Sequence, residues 1–296
     1  MAPILPFVPI PDVLSGYSKA LYSNWLHYRP DRLLVDCGEG AATSLGNNCF
    51  ALERILLTHG HIDHVSGLPA LFWARAGGMG DNEKPLQIFF PRGDTYLVDM
   101  RAYLETIRAK LPFKVEWIAL DVGDQIALKN GRYIETFPTQ HTVGSQSLGY
   151  QIVEERRRVK AQFADLKEDE LRLRAQNGVL DEVTETYRGI KIAFGGDSLP
   201  IEPQLIAQSE ILVHEATILS ATERRGQHHS TLEEALGVAQ QGQVGTLVLN
   251  HFSSRYRKSE IETAVRAGAQ TLGIEFPIWC LQENQLRLFW NPVETL

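Results

Sequence analysis

The residues able to do chemistry concentrate in one stretch, LLTHGHIDHVSG at positions 56–67. It places His59, His61, Asp63 and His64 within six positions of a chain that has nine histidines in all. On an extended backbone His59 and His61, two apart, point the same way. Asp63 and His64 follow as the chain turns into a helix that starts near Ser66, Gly67 and Leu68. Four donors can then surround two nearby points in space. Three further candidates, His141, Asp197 and His251, sit at or just after the C-terminal end of an expected strand, where ligands gather in layered α/β proteins. A lone histidine at a strand end is ordinarily a hydrogen-bonded packing residue. An H-x-H-x-D-H run followed by His, Asp and His on later strands is the pattern of a metal site. Imidazole nitrogens and carboxylate oxygens, with no thiolate, suit Zn²⁺ or a similar ion such as Mn²⁺ or Fe²⁺.

Strands and helices must bring these donors together. Apolar runs rich in Val, Ile, Leu and Phe predict strands at 32–38, 54–60, 86–91, 114–120, 132–141, 147–153, 190–197, 210–216, 246–251 and 285–290. Segments of helical period fall at 66–77, 95–110, 164–176, 230–241 and 259–272. Ser230 with Glu233, and Ser259 with Glu262, have the S-x-x-E form of a capping box. The alternation predicts an α/β chain, expected to be one domain over 1–296. Its one oddity is 154–189, dense in charge and poor in large apolar residues, which predicts an exposed, partly helical excursion between two core strands.

With 296 residues, 44% hydrophobic and 22% charged, the chain can bury a large core. A net charge of −7 argues against a surface coated in basic residues, though not against a local phosphate-binding patch. The basic clusters Arg156–Arg157–Arg158–Lys160, Arg224–Arg225 and Arg255–Arg257–Lys258 read first as solvated faces. Cys37, Cys49 and Cys280 form no C-x-x-C pair, which fits packing roles in a reducing compartment. No apolar run approaches the roughly 18 residues of a membrane span, and the N-terminal residues lack the features of a secretory signal. No membrane association and a cytoplasmic location are the expectations.

His59-Gly-His-Ile-Asp-His64-x-x-Gly67 resembles the signature of the metallo-β-lactamase fold superfamily, which implies a four-layer αββα sandwich of two sheets. Flanking residues narrow the resemblance. Asp36-Cys-Gly-Glu-Gly40, Leu68-Pro69, Gly196-Asp197-Ser198, His214-Glu-Ala-Thr217, His229-Ser-Thr231 and His251-Phe-Ser-Ser-Arg-Tyr256 together resemble the ribonuclease Z family of tRNA 3′-processing endoribonucleases. The match runs from about residue 32 to 257. By that resemblance His59, His61 and His141 hold one metal ion, Asp63, His64 and His251 hold a second, and Asp197 bridges them. Two Zn²⁺ per chain, or Mn²⁺ or Fe²⁺, are implied. So are a homodimer and a reaction that removes the 3′ trailer of precursor tRNA and leaves a 3′-hydroxyl. The catalytic residues expected are Asp63, which doubles as a ligand, His229 as general acid, and Glu215 as the group that orients it. Asp36 and Glu39 are expected to fix the loop or brace ligands. His214 is expected to be a buried hydrogen-bonding residue, His228 a surface residue, and Ser253, Ser254 and Arg255 either a brace or a phosphate contact.

The sequence also departs from the family. Proline-rich LPFVPIPD (5–12) and then KALYSNWLHY (19–28) replace the usual glycine-rich start. Between the His141 and Asp197 motifs, where the family commonly carries a Gly/Pro-rich tRNA-gripping arm, 154–189 has only Gly178 and Gly189 and no proline, which predicts a short or remodelled arm. The alternative reading is therefore a hydrolase of the same superfamily acting on a small phosphodiester, cyclic nucleotide, ester or lactone. A non-catalytic binding protein on this fold is disfavoured by the complete ligand set.

Overall fold

The computed structural model describes residues 9–78, 84–141 and 146–294. A six-stranded sheet is formed in sequential order by β1 (Leu14–Lys19), β2 (Ser23–Tyr28), β3 (Leu33–Val35), β4 (Arg54–Leu56), β5 (Leu86–Pro91) and β6 (Val115–Leu120). The first three strands are antiparallel and β3 to β6 are parallel. An eight-stranded sheet follows: β7 (Gln125–Ala127), β8 (Arg132–Thr139), β9 (Ser147–Val159), β10 (Thr184–Phe194), β11 (Ile211–Glu215), β12 (Leu247–Asn250), β13 (Ile278–Gln282) and β14 (Gln285–Trp290), again in sequential order. Strands β10 to β13 run parallel, and the outer pairs are antiparallel.

The sheets face each other across a core that includes Val35, Leu56 and Phe89 from the first and Tyr150, Ile192, Phe194 and Val213 from the second. Apolar residues on both faces of the central strands require a second cover on each outer side. α1 (Ile10–Val13) adds Ile10 to the core between the sheets, and the outer cover of the first sheet comes from α2 (Ala41–Leu45), α3 (Ile62–Val65), α4 (Leu68–Gly78) and α5 (Leu97–Arg108), which bury Leu45, Val65, Leu71, Phe72 and Leu104 in one cluster. Between β9 and β10 lie α6 (Glu168–Gln176) and α7 (Leu180–Val183). Beyond them, α8 (Leu232–Gln241) and α9 (Lys258–Leu272) cover the second sheet through Leu236, Val265 and Ala269. The result is the αββα layering expected of the chain.

The predicted excursion is a two-stranded ribbon with a helical tip. β9 and β10 stay paired from Glu154–Gly189 out to Val159–Thr184, beyond the buried part of the sheet, and α6 at the far end buries none of its residues. An ionic cluster fixes the root: Glu210, almost fully buried, takes Arg156 on one oxygen and Lys191 at 2.7 Å on the other, while Arg156 also reaches Glu154. Arg157 pairs with Asp181 and Arg158 with Glu185, both at 2.7 Å, so this arginine run is tied up within the ribbon.

Two capping expectations move by a residue or two. Thr231, not Ser230, caps α8, accepting from the Glu234 backbone while Glu234 accepts from the Thr231 N–H. Ser230 Oγ instead donates to the Ser198 carbonyl at 2.8 Å. Ser259 lies inside α9, and Glu260 reaches back to accept from the Arg257 N–H.

Candidate metal centre

The loops that bear the candidate donors leave the sheet sooner than their apolar sequences predict. β3 ends at Val35 because Asp36 takes a left-handed conformation (φ 58°), and β4 ends at Leu56. Beyond it the chain bends at Thr58 and is held by Leu57 N–H to the Phe89 carbonyl and by Leu148 N–H to the Thr58 carbonyl. Gly67 closes the motif for a steric reason. A Cβ there would lie 2.0 Å from the Gly38 carbonyl, in a contact where Gly67 N–H donates to Cys37 O and Cys37 N–H to His64 O.

All seven expected donors converge at one end of the sandwich. His59, His61 and His141 form one group with ligand atoms within 4.8 Å of one another; Asp63, His64 and His251 form a second; His59, His64 and Asp197 form a third that joins them. Asp197 Oδ2 lies 3.3 Å from His64 Nε2 and 3.1 Å from His251 Nε2. His61 Nδ1 and His141 Nε2 lie 3.1 Å apart, close to the roughly 3.3 Å that two tetrahedral ligands at about 2.0 Å from a shared ion would adopt. Asp63 is steadied from the β1–β2 turn, where Leu21, itself left-handed (φ 71°), donates its N–H to Asp63 Oδ2 at 3.0 Å.

Two buried carboxylates hold the imidazoles from behind in the same way. Asp36 accepts from His64 Nδ1 directly at 2.7 Å, and reaches His59 through Thr58, whose hydroxyl donates to Asp36 at 2.9 Å and accepts from His59 Nδ1 at 3.0 Å. Glu215 accepts from His229 Nδ1 directly at 2.8 Å, and reaches His251 through Thr217, whose hydroxyl donates to Glu215 and accepts from His251 Nδ1 at 2.9 Å. Each carboxylate thus fixes one ring directly and a second through a threonine. His141 Nδ1 donates at 2.8 Å to the carbonyl of His228, and the His228 ring donates back to the His141 carbonyl at 3.1 Å. His228 is exposed as expected, but its backbone positions a donor.

With their Nδ1 atoms held, His59, His64 and His251 keep buried Nε2 atoms that have no hydrogen-bond partner, as does Asp197 Oδ1. Buried polar atoms are rarely left so. Several such acceptors aimed at one another repel unless a cation lies between them, so an N/O-donor divalent ion fits this centre. Burial pulls His64 down, but Asp197 and Asp36 beside it push its pKa well above the usual histidine range. Burial raises Asp197, and His251, His64 and His59 more than reverse that, holding the carboxyl well below its usual range. His59, His61 and His141 are lowered, chiefly by burial.

His229 stands at the edge of the cluster, its ring 4.8 Å from His141 and 5.4 Å from His251. Burial draws its pKa down, but Glu215, by charge and by hydrogen bond, brings it to about 9. His214 is fully buried and donates from Nδ1 to the Glu215 carbonyl at 2.7 Å. Ser253 donates its N–H to the Thr217 carbonyl and its hydroxyl accepts from Arg255 Nε, so this loop braces the strand end that carries His251. Glu39 meets the site through its backbone, its carbonyl accepting from Ser23. Thr58, Thr217 and the His228 carbonyl were not singled out from sequence. The only signal available was their place immediately beside chemical residues, in T-H-G-H, H-E-A-T and H-H-S.

Comparison with known proteins places this geometry in context. A family model for the β-lactamase superfamily domain matches residues 31–181. Ribonuclease Z of Gemmatimonas aurantiaca is 32% identical over 251 residues, covering 77% of this chain and 78% of that protein. Ribonuclease Z of Thermococcus kodakarensis is 30% identical over 272 residues, covering 84% and 83%. Among solved structures, the short form of human tRNase Z superposes with a TM-score of 0.60 at 19% identity, covering 93% of this chain and 99% of that one.

Proposed function

Because the chain belongs to the ribonuclease Z family of the β-lactamase superfamily, we propose that it is a metal-dependent endoribonuclease that removes the 3′ trailer of precursor tRNA. The observation that carries the reading is the convergence of seven N and O donors into two groups joined at Asp197, in a chain with family-level similarity to ribonuclease Z over most of its length. In this reading His59, His61 and His141 hold one zinc or similar ion, Asp63, His64 and His251 hold the other, and Asp197 serves both. A bound ion pair supplies an activated water and neutralises charge on the phosphate.

The chain's own groups do the remaining work. Asp36 and Glu215, directly and through Thr58 and Thr217, keep the imidazoles in the tautomer that turns Nε2 toward the site. His229 carries a proton at neutral pH and delivers it to the departing 3′-oxygen of the tRNA, with Glu215 stabilising the imidazolium until transfer. Asp63, tied by the Leu21 N–H, keeps a carboxylate oxygen beside the second group of donors, where it steadies the attacking side. A homodimer, supported by the family resemblance, and a cytoplasmic location, supported by three free and buried cysteines, complete the proposal.

The test is incubation of zinc-loaded protein with a precursor tRNA that carries a 3′ trailer. The expected products are tRNA ending in a 3′-hydroxyl and a trailer with a 5′-phosphate. Failure to cleave at low salt, together with turnover of a small ester or diester, overturns the assignment.

A further inference from the structure

The rim of the metal centre is apolar and exposed. Ile62, between the donors His61 and Asp63, is 66% exposed, and Leu21, whose N–H holds Asp63, is 82% exposed; the neighbouring Tyr22 ring lies under Lys19 Nζ, 4.7 Å from its centroid. Tyr96, at the entry to α5, is half exposed, and its ring meets the His61 ring at 79° with 4.7 Å between centroids. Its backbone is fixed, the N–H donating to Asp94 at 2.8 Å.

Water-exposed apolar side chains this close to a charged centre are unfavourable in the free protein unless something covers them. Ile62, Leu21 and Tyr96 carry no charge, so what covers them is not the phosphate chain. Resting on the nuclease reading above, the geometry points to Tyr96, whose ring meets that of the donor His61, as a stacking platform for an unpaired nucleobase next to the scissile phosphate. A trailer beyond a folded acceptor stem is single-stranded there. An unstacked base has an exposed apolar face that an aromatic ring covers irrespective of sequence, while its phosphate reaches the donors a few ångströms away. Tyr96 is then a substrate-positioning residue.

A cycle of protein and substrate changes tests this, using zinc-loaded full-length protein and precursor tRNAs that are either intact or abasic at one of the two nucleotides flanking the cleavage point. With intact substrate, Tyr96→Ala raises KM roughly tenfold, kcat changes by less than about twofold, and Tyr96→Phe restores KM. With the base removed at the position that stacks, the wild type shows the raised KM and Tyr96→Ala adds nothing further. Equal effects of Tyr96→Ala on the intact and both abasic substrates overturn the proposal, as does a fall in zinc content with kcat, which would make Tyr96 only a support for His61. A wild type that cleaves no precursor tRNA removes the nuclease reading and this inference together. Cleavage without coupling removes this inference alone.

Discussion

Glu215 Oε1 lies 2.8 Å from His229 Nδ1, and the same carboxylate also accepts from the Ser198 N–H at 2.7 Å and from Thr217. Glu215 is fully buried among these donors, so its interaction with His229 is little screened by solvent.

That pairing predicts a measurable titration. In metal-free protein His229 titrates near 9, and Glu215→Gln, which keeps a hydrogen-bond acceptor but removes the charge, lowers the midpoint. The sign for stability follows. A histidine raised from 6.5 to about 9 contributes stability that is complete below about 6.5 and is lost as pH rises through about 9. Metal-free wild type therefore loses Tm across that window, and Glu215→Gln flattens the loss. NMR of the histidine ring and thermal melts at stepped pH read the two effects; an unchanged midpoint in the variant sinks the argument.

Asp36 supports two rings from behind, so Asp36→Asn lowers metal affinity by roughly 10–100-fold. Thr58→Val, which cuts only the relay to His59, has the smaller effect. Chelator competition measures both, and a Thr58 effect equal to that of Asp36 contradicts the shared-brace arrangement.

The proposed ion pair predicts about two equivalents of zinc per chain. Asp197→Ala reduces both, since one carboxylate offsets the repulsion between two cations. Metal analysis of the purified variant decides it: loss of one equivalent with the other intact removes the bridging role.

The local run at 59–64 made the centre legible in the sequence because donor spacing on one short segment is nearly independent of the rest of the fold. Ten strand expectations and five helix expectations each overlap an observed element. β1 (LSGYSK) and β2 (SNWLHY) mix polar with apolar residues without a clear alternation, and β7 is only three residues long; β1 and β7 are strands by pairing in hairpins with β2 and β8. β13 (IWCLQ) is apolar enough but had no flanking signal beyond Pro277. A turn was expected among the glycines after Asp36, but Asp36 itself takes the left-handed conformation, its side chain bonded to Thr58 and His64, and ends the strand at Val35. The remodelled arm was foreseen as charged and partly helical, but charge density hid the alternation that pairs 154–159 with 184–189.

At the arm's root, Glu210→Ala leaves Arg156 and Lys191 without their shared, buried partner. It costs about 3 kcal/mol, below what a fully enclosed pair would cost only because both cations are partly exposed. Arg157→Ala and Arg158→Ala, which break exposed pairs, each cost under about 1 kcal/mol. Urea denaturation ranks the three, and equal losses refute a buried anchor.

The donors are divided between the two sheets: His59, His61, Asp63 and His64 follow β4, whereas His141, Asp197 and His251 follow β8, β10 and β12. During synthesis the first four are made by residue 64, His141 and Asp197 join them at 141 and 197, and His251 comes last. Because each group of donors draws on both sheets, holding an ion in either one requires the two sheets to be docked, which couples metal binding to folding of the sandwich.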